Sequence, residues 1–445
     1  MSTAIELSAV LIAAPYPGTR RMPGKLYAIF GAVVLAATMW FWVQDIAIAH
    51  QQAESQAKGI PRGNLSDLYP RWLGARELLL RGRNPYAADI TREIQTGYYG
   101  RPIDPALPND PKDQQGFAYP VYVAFLLAPT VKLPFAIVQR GFFFLLVALT
   151  AFSVFLWFRA VGWSVSKSTI LLWIVLALDC FPAIQGFKLQ QLTVLVAGLL
   201  AAAFSLLAGG YFVAAGILLA IASIKPQLVA LPIACLGLWS LGQWRERQKL
   251  AWSFGATMLL LFGGGELLLP GWIGKFRVAS AEYFRYTGGG RSVLDVELTP
   301  FWGRLVSAGL VCALLFFAWK LRRSPARSVD FAWLVALTMA TTLAVIPMFA
   351  PYNQVLLLPV LMVLVRYIRP LWEAGGLCQF FVVFTALSIL WPWIATLGLA
   401  AASLFLPRTV VQNAWAMPLY TNFAIPTLTL GLVLIAGRVL RREAS

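Results

Sequence analysis

The chain has 445 residues, of which 59% are hydrophobic and only 12% charged. Soluble domains carry about 25% charged residues, so this composition excludes an ordinary soluble globule and points to an integral membrane protein. The formal charge is +17, but the basic residues do not form the single stripe or patch of a nucleic-acid-binding face, and no nucleic-acid partner is expected. They recur instead in short segments: Arg20, Arg21 and Lys25; Arg245, Arg247 and Lys249; Lys320, Arg322, Arg323 and Arg327; Arg366 and Arg369; Arg438, Arg441 and Arg442. That is the positive-inside distribution of cytoplasmic loops.

Residues 1–24 read as a cytoplasmic tail and 25–445 as a single transmembrane domain. A spanning helix needs about 20 apolar residues. Twelve spans are expected near 25–46, 117–133, 137–158, 168–184, 190–208, 212–240, 252–269, 301–319, 329–348, 351–366, 376–397 and 421–438. The apolar run from Leu26 to Val43 is longer than a signal-peptide core and lacks a small-residue cleavage site, so it reads as a retained first span. Residues 212–240 are too long for one straight span and are broken at Lys225-Pro226. An alternative makes 117–133 re-entrant and divides 212–240 into two short helices. Fold class is accordingly all-α and polytopic, and the expected location is a bacterial inner membrane.

Two long loops fall on the outer side in this topology. In the first, 48–116, Leu68, Trp72, Ala75 and Leu79 recur at helical spacing while Arg71, Arg76, Arg81 and Arg83 crowd the other faces. This predicts a short amphipathic helix in the membrane interface, anchored by Trp72, started by Ser66 or Asp67 and ended by Gly82. Asp104, Asp110 and Asp113, in a Pro-rich segment, read as solvated turns. The second loop, 270–300, carries Lys275, Arg277, Glu282, Arg285, Arg291, Asp295 and Glu297 around Gly288-Gly289-Gly290. It is either a lid that closes over a substrate or a flexible connector.

Few residues can carry chemistry. The four cysteines lie in or beside apolar runs without CxxC spacing, and His50 is the single histidine, which leaves no His-based metal site and no Ser-His-Asp triad. Asp67 has two readings. It is an ordinary helix N-cap, or a general base at the membrane surface whose ionised form the helix N-terminus favours, oriented by Tyr69, Arg71 and Arg76. Lys225 lies within an apolar segment, where a lysine is costly and marks a functional site unless it snorkels to an interface. Asp179 falls near a span end, where hydration accounts for it. Glu266 follows Gly263-Gly264-Gly265, a run that permits close helix packing. Tyr69 stands where an Asp-x-Asp pair would need its second carboxylate. No metal is assigned, and a divalent ion stays open as a cofactor.

The run Ser66-Asp67-Leu68-Tyr69, then Gly82-Arg83-Asn84-Pro85-Tyr86, then Phe117-Ala118-Tyr119-Pro120, resembles glycosyltransferase family 87, of the GT-C superfamily of membrane glycosyltransferases. Later pieces are similar too: Gly186-Phe187-Lys188-Leu189-Gln190-Gln191, Ile224-Lys225-Pro226-Gln227 and Pro351-Tyr352-Asn353-Gln354. Each is short; their order against the spans carries the resemblance, which covers residues 64 to 360. Two departures stand out: Val121 replaces a second proline after Tyr119-Pro120, and the family's Gly-Gln is split between Gly186 and Gln190-Gln191.

The resemblance implies a GT-C-like bundle and transfer of a sugar, mannose first, from a polyprenyl-phosphate donor to a glycolipid or cell-envelope glycan on the outer face. It makes Asp67 the general base. The departing phosphate needs cationic stabilisation, for which Lys225 leads and Arg285 and Arg291 follow. Tyr69, Arg71, Tyr119, Gln190, Gln191, Gln227, Tyr352 and Asn353 are candidates to line the substrate pocket; for most of them a span-end anchor or a packing contact explains the residue as well. Two other functions are weighed. A transporter or flippase of lipid-linked sugars would use Lys225, Asp179 and Glu266 as a polar path, although no paired repeat halves are found. A glycan polymerase or ligase would depend on the loop arginines.

Overall fold

The computed structural model describes residues 23–57, 59, 66–104, 106–287 and 289–443. Apart from its last two residues the expected cytoplasmic tail, with Arg20 and Arg21, lies outside these, as do Gly288 and the side chains of Lys25, Arg441 and Arg442. Among the described residues every regular element is helical. A first helix α1 (Pro23–Phe41) runs through a π-helical turn (Trp42–Ile48) into α2 (Ala49–Ala57). The first loop then holds α3 (Leu68–Arg81) and α4 (Ala88–Tyr99). After it come α5 (Val123–Leu127), α6 (Phe135–Ala160), α7 (Lys167–Asp179), α8 (Phe181–Lys188), α9 (Leu192–Ala208), α10 (Phe212–Ala222), α11 (Pro226–Gly242) and α12 (Trp244–Leu268). The second loop holds α13 (Trp272–Tyr286) and α14 (Val293–Leu298). The chain closes with α15 (Pro300–Lys320), α16 (Val329–Val345), a 3-10 turn (Pro351–Leu357), α17 (Leu358–Arg366), α18 (Ile368–Glu373), α19 (Gly376–Ala402), α20 (Arg408–Asn413) and α21 (Ala424–Glu443).

Six described helices are long and apolar enough to cross a membrane, or seven if the pair α7–α8, bent by 57°, counts as one span. The expectation of twelve full spans is not met. Residues 117–133 form an extended strap, the five-residue α5 and a 3-10 turn rather than a membrane-length helix. Residues 212–240 divide at Lys225 into α10 and α11. The physical reason is local: Pro226 supplies no backbone N–H and fixes its own φ, which suits the first turn of a helix, and α11 starts on it.

The core is centred on α16, in which every residue from Phe331 to Ala344 is buried. Around it α9 packs on α6 and α10, α10 on α12, and α21 on α16. Trp252, Leu259, Leu260, Phe301 and Phe316 on α12 and α15 point outward, as expected of helices whose outer surface meets lipid. A second cluster joins Met39, Trp42 and Ile46 to Phe181, Trp393 and Val411. Asp179 is buried there, its Oδ2 accepting from Trp393 Nε1 at 3.0 Å, so hydration at a span end does not explain it. The close packing expected near Glu266 is present: a Cβ on Gly265 would stand 2.9 Å from Trp272 and from Val121.

The first loop is compact and depends on its glycines. A Cβ on Gly97 would fall 1.9 Å from the Tyr69 hydroxyl, and one on Gly74 would fall 2.3 Å from the Phe117 ring. Buried Glu77 accepts from Arg81 and Arg83, and Arg83 reaches on to Asp89 at 2.8 Å and Glu93 at 2.6 Å, tying α3 to α4. Gly82 ends α3 with φ 65°, as the sequence predicts. The start differs: Asp67 is the N-cap residue, but its side chain makes no capping bond. Nor does α3 lie open on an interface. Trp72 is buried and donates to the Thr130 carbonyl at 3.2 Å, and Arg71 is buried with it. In the second loop Ser292 and Asp295 form a capping box at the start of α14.

Candidate functional site

The site begins where α8 ends. Gln190 takes a left-handed conformation, φ 45°, uncommon for a residue with a Cβ. Its side chain holds the turn in place. Nε2 donates to the carbonyls of Phe187 at 2.7 Å and Lys188 at 3.0 Å, and Oε1 accepts from Ser66 Oγ at 2.7 Å and Gln139 Nε2 at 3.2 Å. The turn also brings the first loop down onto the bundle, since Asp67 N donates to the Leu189 carbonyl at 3.0 Å. Gln190 is therefore structural support, and Gln191 is the residue aimed into the site.

The buried Gln191 amide connects two charges. Its Nε2 donates to Asp67 Oδ2, and its Oε1 accepts from Lys225 Nζ at 3.1 Å. The polarity of the amide matches both neighbours, N–H₂ toward the carboxylate and C=O toward the ammonium. Lys225 stands in the break between α10 and α11 and is buried, not snorkelled. It donates also to Thr193 Oγ1 at 2.5 Å, and Thr193 donates to Asn353 Oδ1 at 3.2 Å. The rings of Tyr352 and Tyr119 lie 5.2 and 6.0 Å from its nitrogen. Five chain segments thus converge: the start of α3, the α8–α9 turn, the α10–α11 break, the strap at Tyr119 and the 3-10 turn after α16.

Arg71, one turn into α3, donates through Nη1 to the Asp67 carbonyl at 2.8 Å and places its guanidinium 4.6 Å from the Tyr119 ring centre. It leaves the Asp67 carboxylate to Gln191. Arg71 is buried, and its Nε has no hydrogen-bond partner among the described residues. Buried polar groups are nearly always paired in a completed structure, so an unpaired guanidinium N–H marks a place for an acceptor.

Burial raises the Asp67 pKa above the ordinary carboxylate value; Arg71, Lys225 and the Gln191 bond work against that rise, and Asp113 adds to it. Asp113 is itself raised by burial. Its carboxylate accepts from the Gln115 backbone at 3.0 Å and side chain at 2.8 Å. Of Asp104, Asp110 and Asp113, read from the sequence as solvated turns, Asp113 does close a turn but is only half-exposed, and it lies in the field of Arg71 and Asp67. Asp110 pairs with Arg101 at 2.5 Å instead.

The structure brings together Asp67, Arg71, Tyr119, Gln191, Lys225, Tyr352 and Asn353, with Gln190 one layer behind. It does not bring in four others. Tyr69 packs edge-on to Phe135 at 4.9 Å, with its hydroxyl over Gly97. Gln227, Arg285 and Arg291 are exposed, and none of the bonds of this cluster reaches their side chains. Sequence reasoning missed Thr193, Gln139 and Asp113. Thr193 follows Gln191 by two positions at the mouth of an apolar helix, and its hydroxyl there was the available signal. Gln139, in the apolar α6, and Asp113 gave none beyond being polar near a span. No three His, Cys, Asp or Glu side chains gather as a metal-holding group among the described residues, and His50 stacks on Trp415 at 5.5 Å in the second cluster.

Comparison with known proteins adds one match. The family model of glycosyltransferase family 87 matches residues 117–347, just over half of the chain. The matched stretch contains Tyr119, Gln190, Gln191, Thr193 and Lys225; it begins after Asp67 and Arg71 and ends before Tyr352 and Asn353. No curated protein and no solved structure matches the chain.

Proposed function

The chain belongs to glycosyltransferase family 87, and on that premise we propose that this membrane glycosyltransferase works by inversion, moving a sugar from a polyprenyl-phosphate donor to a glycolipid or cell-envelope glycan at the outer face of a bacterial inner membrane. Mannose is the first candidate for that sugar. The observation that carries the proposal is the Asp67–Gln191–Lys225 bridge, which holds a base and a cation in one buried site with a single amide between them.

The chemistry needs one base. The acceptor hydroxyl attacks the anomeric carbon, its oxygen forms the new glycosidic bond, and its proton passes to an Asp67 oxygen. The bond from the anomeric carbon to the phosphate oxygen breaks, and the electron pair leaves with a phosphate that is already ionised and needs no proton. A glycosidase, whose leaving group is an alcohol, needs a second carboxyl group as acid. Positioned general-base catalysis contributes about 100- to 10,000-fold. The raised pKa of Asp67 suits that role, because a base of higher pKa draws the acceptor proton more strongly.

Two cations answer the leaving phosphate. Lys225 supplies one charge from inside the bundle. Arg71, with an unpaired buried Nε, supplies a second and a planar donor set. Arg71 thus takes the place that the sequence reading gave to Arg285 and Arg291. Tyr119 and Tyr352 flank Lys225 and would bound the sugar, and Thr193 and Asn353 fix the Lys225 ammonium from behind. Gln191 keeps Asp67 and Lys225 from collapsing onto one another. In a dry site a direct ion pair would quench the base and occupy the cation.

The test is turnover of a polyprenyl-phosphate mannose of known anomeric configuration by the purified protein in nanodiscs, with bacterial envelope lipids as acceptors. A glycosidic product of opposite configuration supports the proposal. Retention of configuration would rule out single displacement, and movement of the carrier across proteoliposomes with no sugar transferred would identify a flippase instead.

A further inference from the structure

A cleft of about 750 Å³ opens between α4, the strap at 114–118 and α13, and no part of the polar bridge lines it. That volume is within the ~300–1,000 Å³ of small-ligand sites, enough for the end of a chain molecule and too small for a folded partner. Its walls include the rings of Tyr86 and Tyr286, the Thr91 hydroxyl, and the charged side chains of Arg92, Lys275 and Glu282. The Tyr86 hydroxyl is committed to the Tyr119 carbonyl at 2.6 Å, so this residue offers the cleft its ring.

Two walls of the cleft adjoin the surroundings of Asp67. Gly116, Phe117 and Ala118 line it, and the next residue is Tyr119, which carries Arg71 over its ring. On the opposite wall Tyr286 meets Tyr283 edge-on at 5.4 Å, and Tyr283 lies in the field of Arg71, Asp113 and Asp67. Glycines keep the space open. A Cβ on Gly274 would meet nothing within 4 Å, and one on Gly116 would approach only the Tyr286 hydroxyl at 3.9 Å and Thr91 Oγ1 at 4.0 Å.

We propose that this cleft receives the acceptor, as the terminal sugars of a glycan, and delivers a hydroxyl along the Tyr286–Tyr283 wall to the site of Asp67. The chemistry favours a glycan. Ring faces are electron-rich and attract the weakly positive C–H faces of a pyranose, while hydroxyl and mixed-sign charged groups bond to sugar hydroxyls. The Glu282 carboxylate on the wall opposes a free phosphate, and the charged side chains beside it oppose an apolar tail. The inference rests on the glycosyltransferase reading above and deepens it.

The test is photocrosslinking of the full-length protein in nanodiscs with a panel of diazirine-bearing trisaccharides of mannose, glucose, galactose and arabinose, followed by mapping of the labelled peptides. At least one member is expected to label 84–118 or 271–286. Gly274→Trp, which fills the space that Gly274 leaves open, is expected to reduce that labelling about tenfold or more. Gly309→Trp, at a helix position of α15 that is equally open but remote, is expected to leave it unchanged. If Gly274→Trp does not fold by thermal unfolding, Gly116→Leu reads the same space. Absence of label from both segments across the panel, or wild-type labelling in a folded cleft-filling variant, would overturn the assignment. Failure of the broader reading shows itself separately, as absence of donor turnover by the wild-type protein whatever the labelling.

Discussion

Asp67 and Lys225 are linked through one side chain: the Gln191 amide donates to the Asp67 carboxylate and accepts from the Lys225 ammonium at 3.1 Å. The two charges come from segments far apart in the chain, and the residue between them is held by a left-handed turn at Gln190.

Replacing the bridge should separate its two tasks. In Gln191→Glu the new carboxylate pairs with Lys225 but faces Asp67 with like charge. Like charge disfavours ionisation, so the Asp67 pKa rises and the acid limb of kcat/KM moves to higher pH. Gln191→Leu instead leaves Asp67 without its hydrogen bond and Lys225 with one fewer acceptor, and should lower kcat. A pH–rate profile of Gln191→Glu that overlays the wild type would argue that the bridge is absent in solution.

In the wild type the acid limb already has a predicted sign. Transfer requires ionised Asp67, and burial raises its pKa above the usual ~3.9 of an aspartate. Activity should therefore fall as pH drops through the raised pKa, with a midpoint higher than an exposed aspartate would give. A midpoint at or below the ordinary value would contradict the burial seen here.

The two buried cations should differ from the two exposed arginines. Lys225→Met and Arg71→Met are expected to lower kcat/KM for donor by about 100-fold or more, on the scale of removing a preorganised donor to a developing anion. Arg285→Gln and Arg291→Gln, whose side chains are exposed, should stay within a few-fold of wild type. Steady-state kinetics with varied donor decide between the sets, and the reverse ordering would return the phosphate to the second loop.

The first loop should fail through packing alone. Gly97→Val places atoms where the Tyr69 hydroxyl lies, 1.9 Å from the Cβ position, and overpacking of this kind costs about 1–3 kcal/mol. We expect faster hydrogen exchange in 66–104 and reduced turnover, with α16 as protected as in wild type. Unchanged exchange in the loop would show that α4 does not rest on α3 as described.

Some of this was legible in the sequence, for physical reasons that differ by element. Helix α3 was readable because Leu68, Trp72 and Ala75 fall at helical spacing and Gly82 supplies a left-handed stop. The break at Lys225 was readable from Pro226. The depth of α3 was not: an amphipathic pattern on a membrane surface and one against a protein groove look alike, and only the fold shows Trp72 and Arg71 covered. Pairing was equally hidden. Nothing in Gln190-Gln191 indicates that the first glutamine turns inward to brace Ser66 and the second reaches Asp67. Asp113 resembled Asp110 in composition and differs from it only in what surrounds it.

The central claim is that Asp67 is the base, and the most direct measurement is single-turnover transfer by Asp67→Asn with donor already bound. Asparagine keeps the size of the side chain and loses its ability to take a proton. The account predicts that donor affinity stays within a few-fold of wild type while the rate of sugar transfer falls by about 100- to 10,000-fold. Transfer by a folded Asp67→Asn protein at a rate within about tenfold of wild type, well short of that general-base contribution, would contradict it.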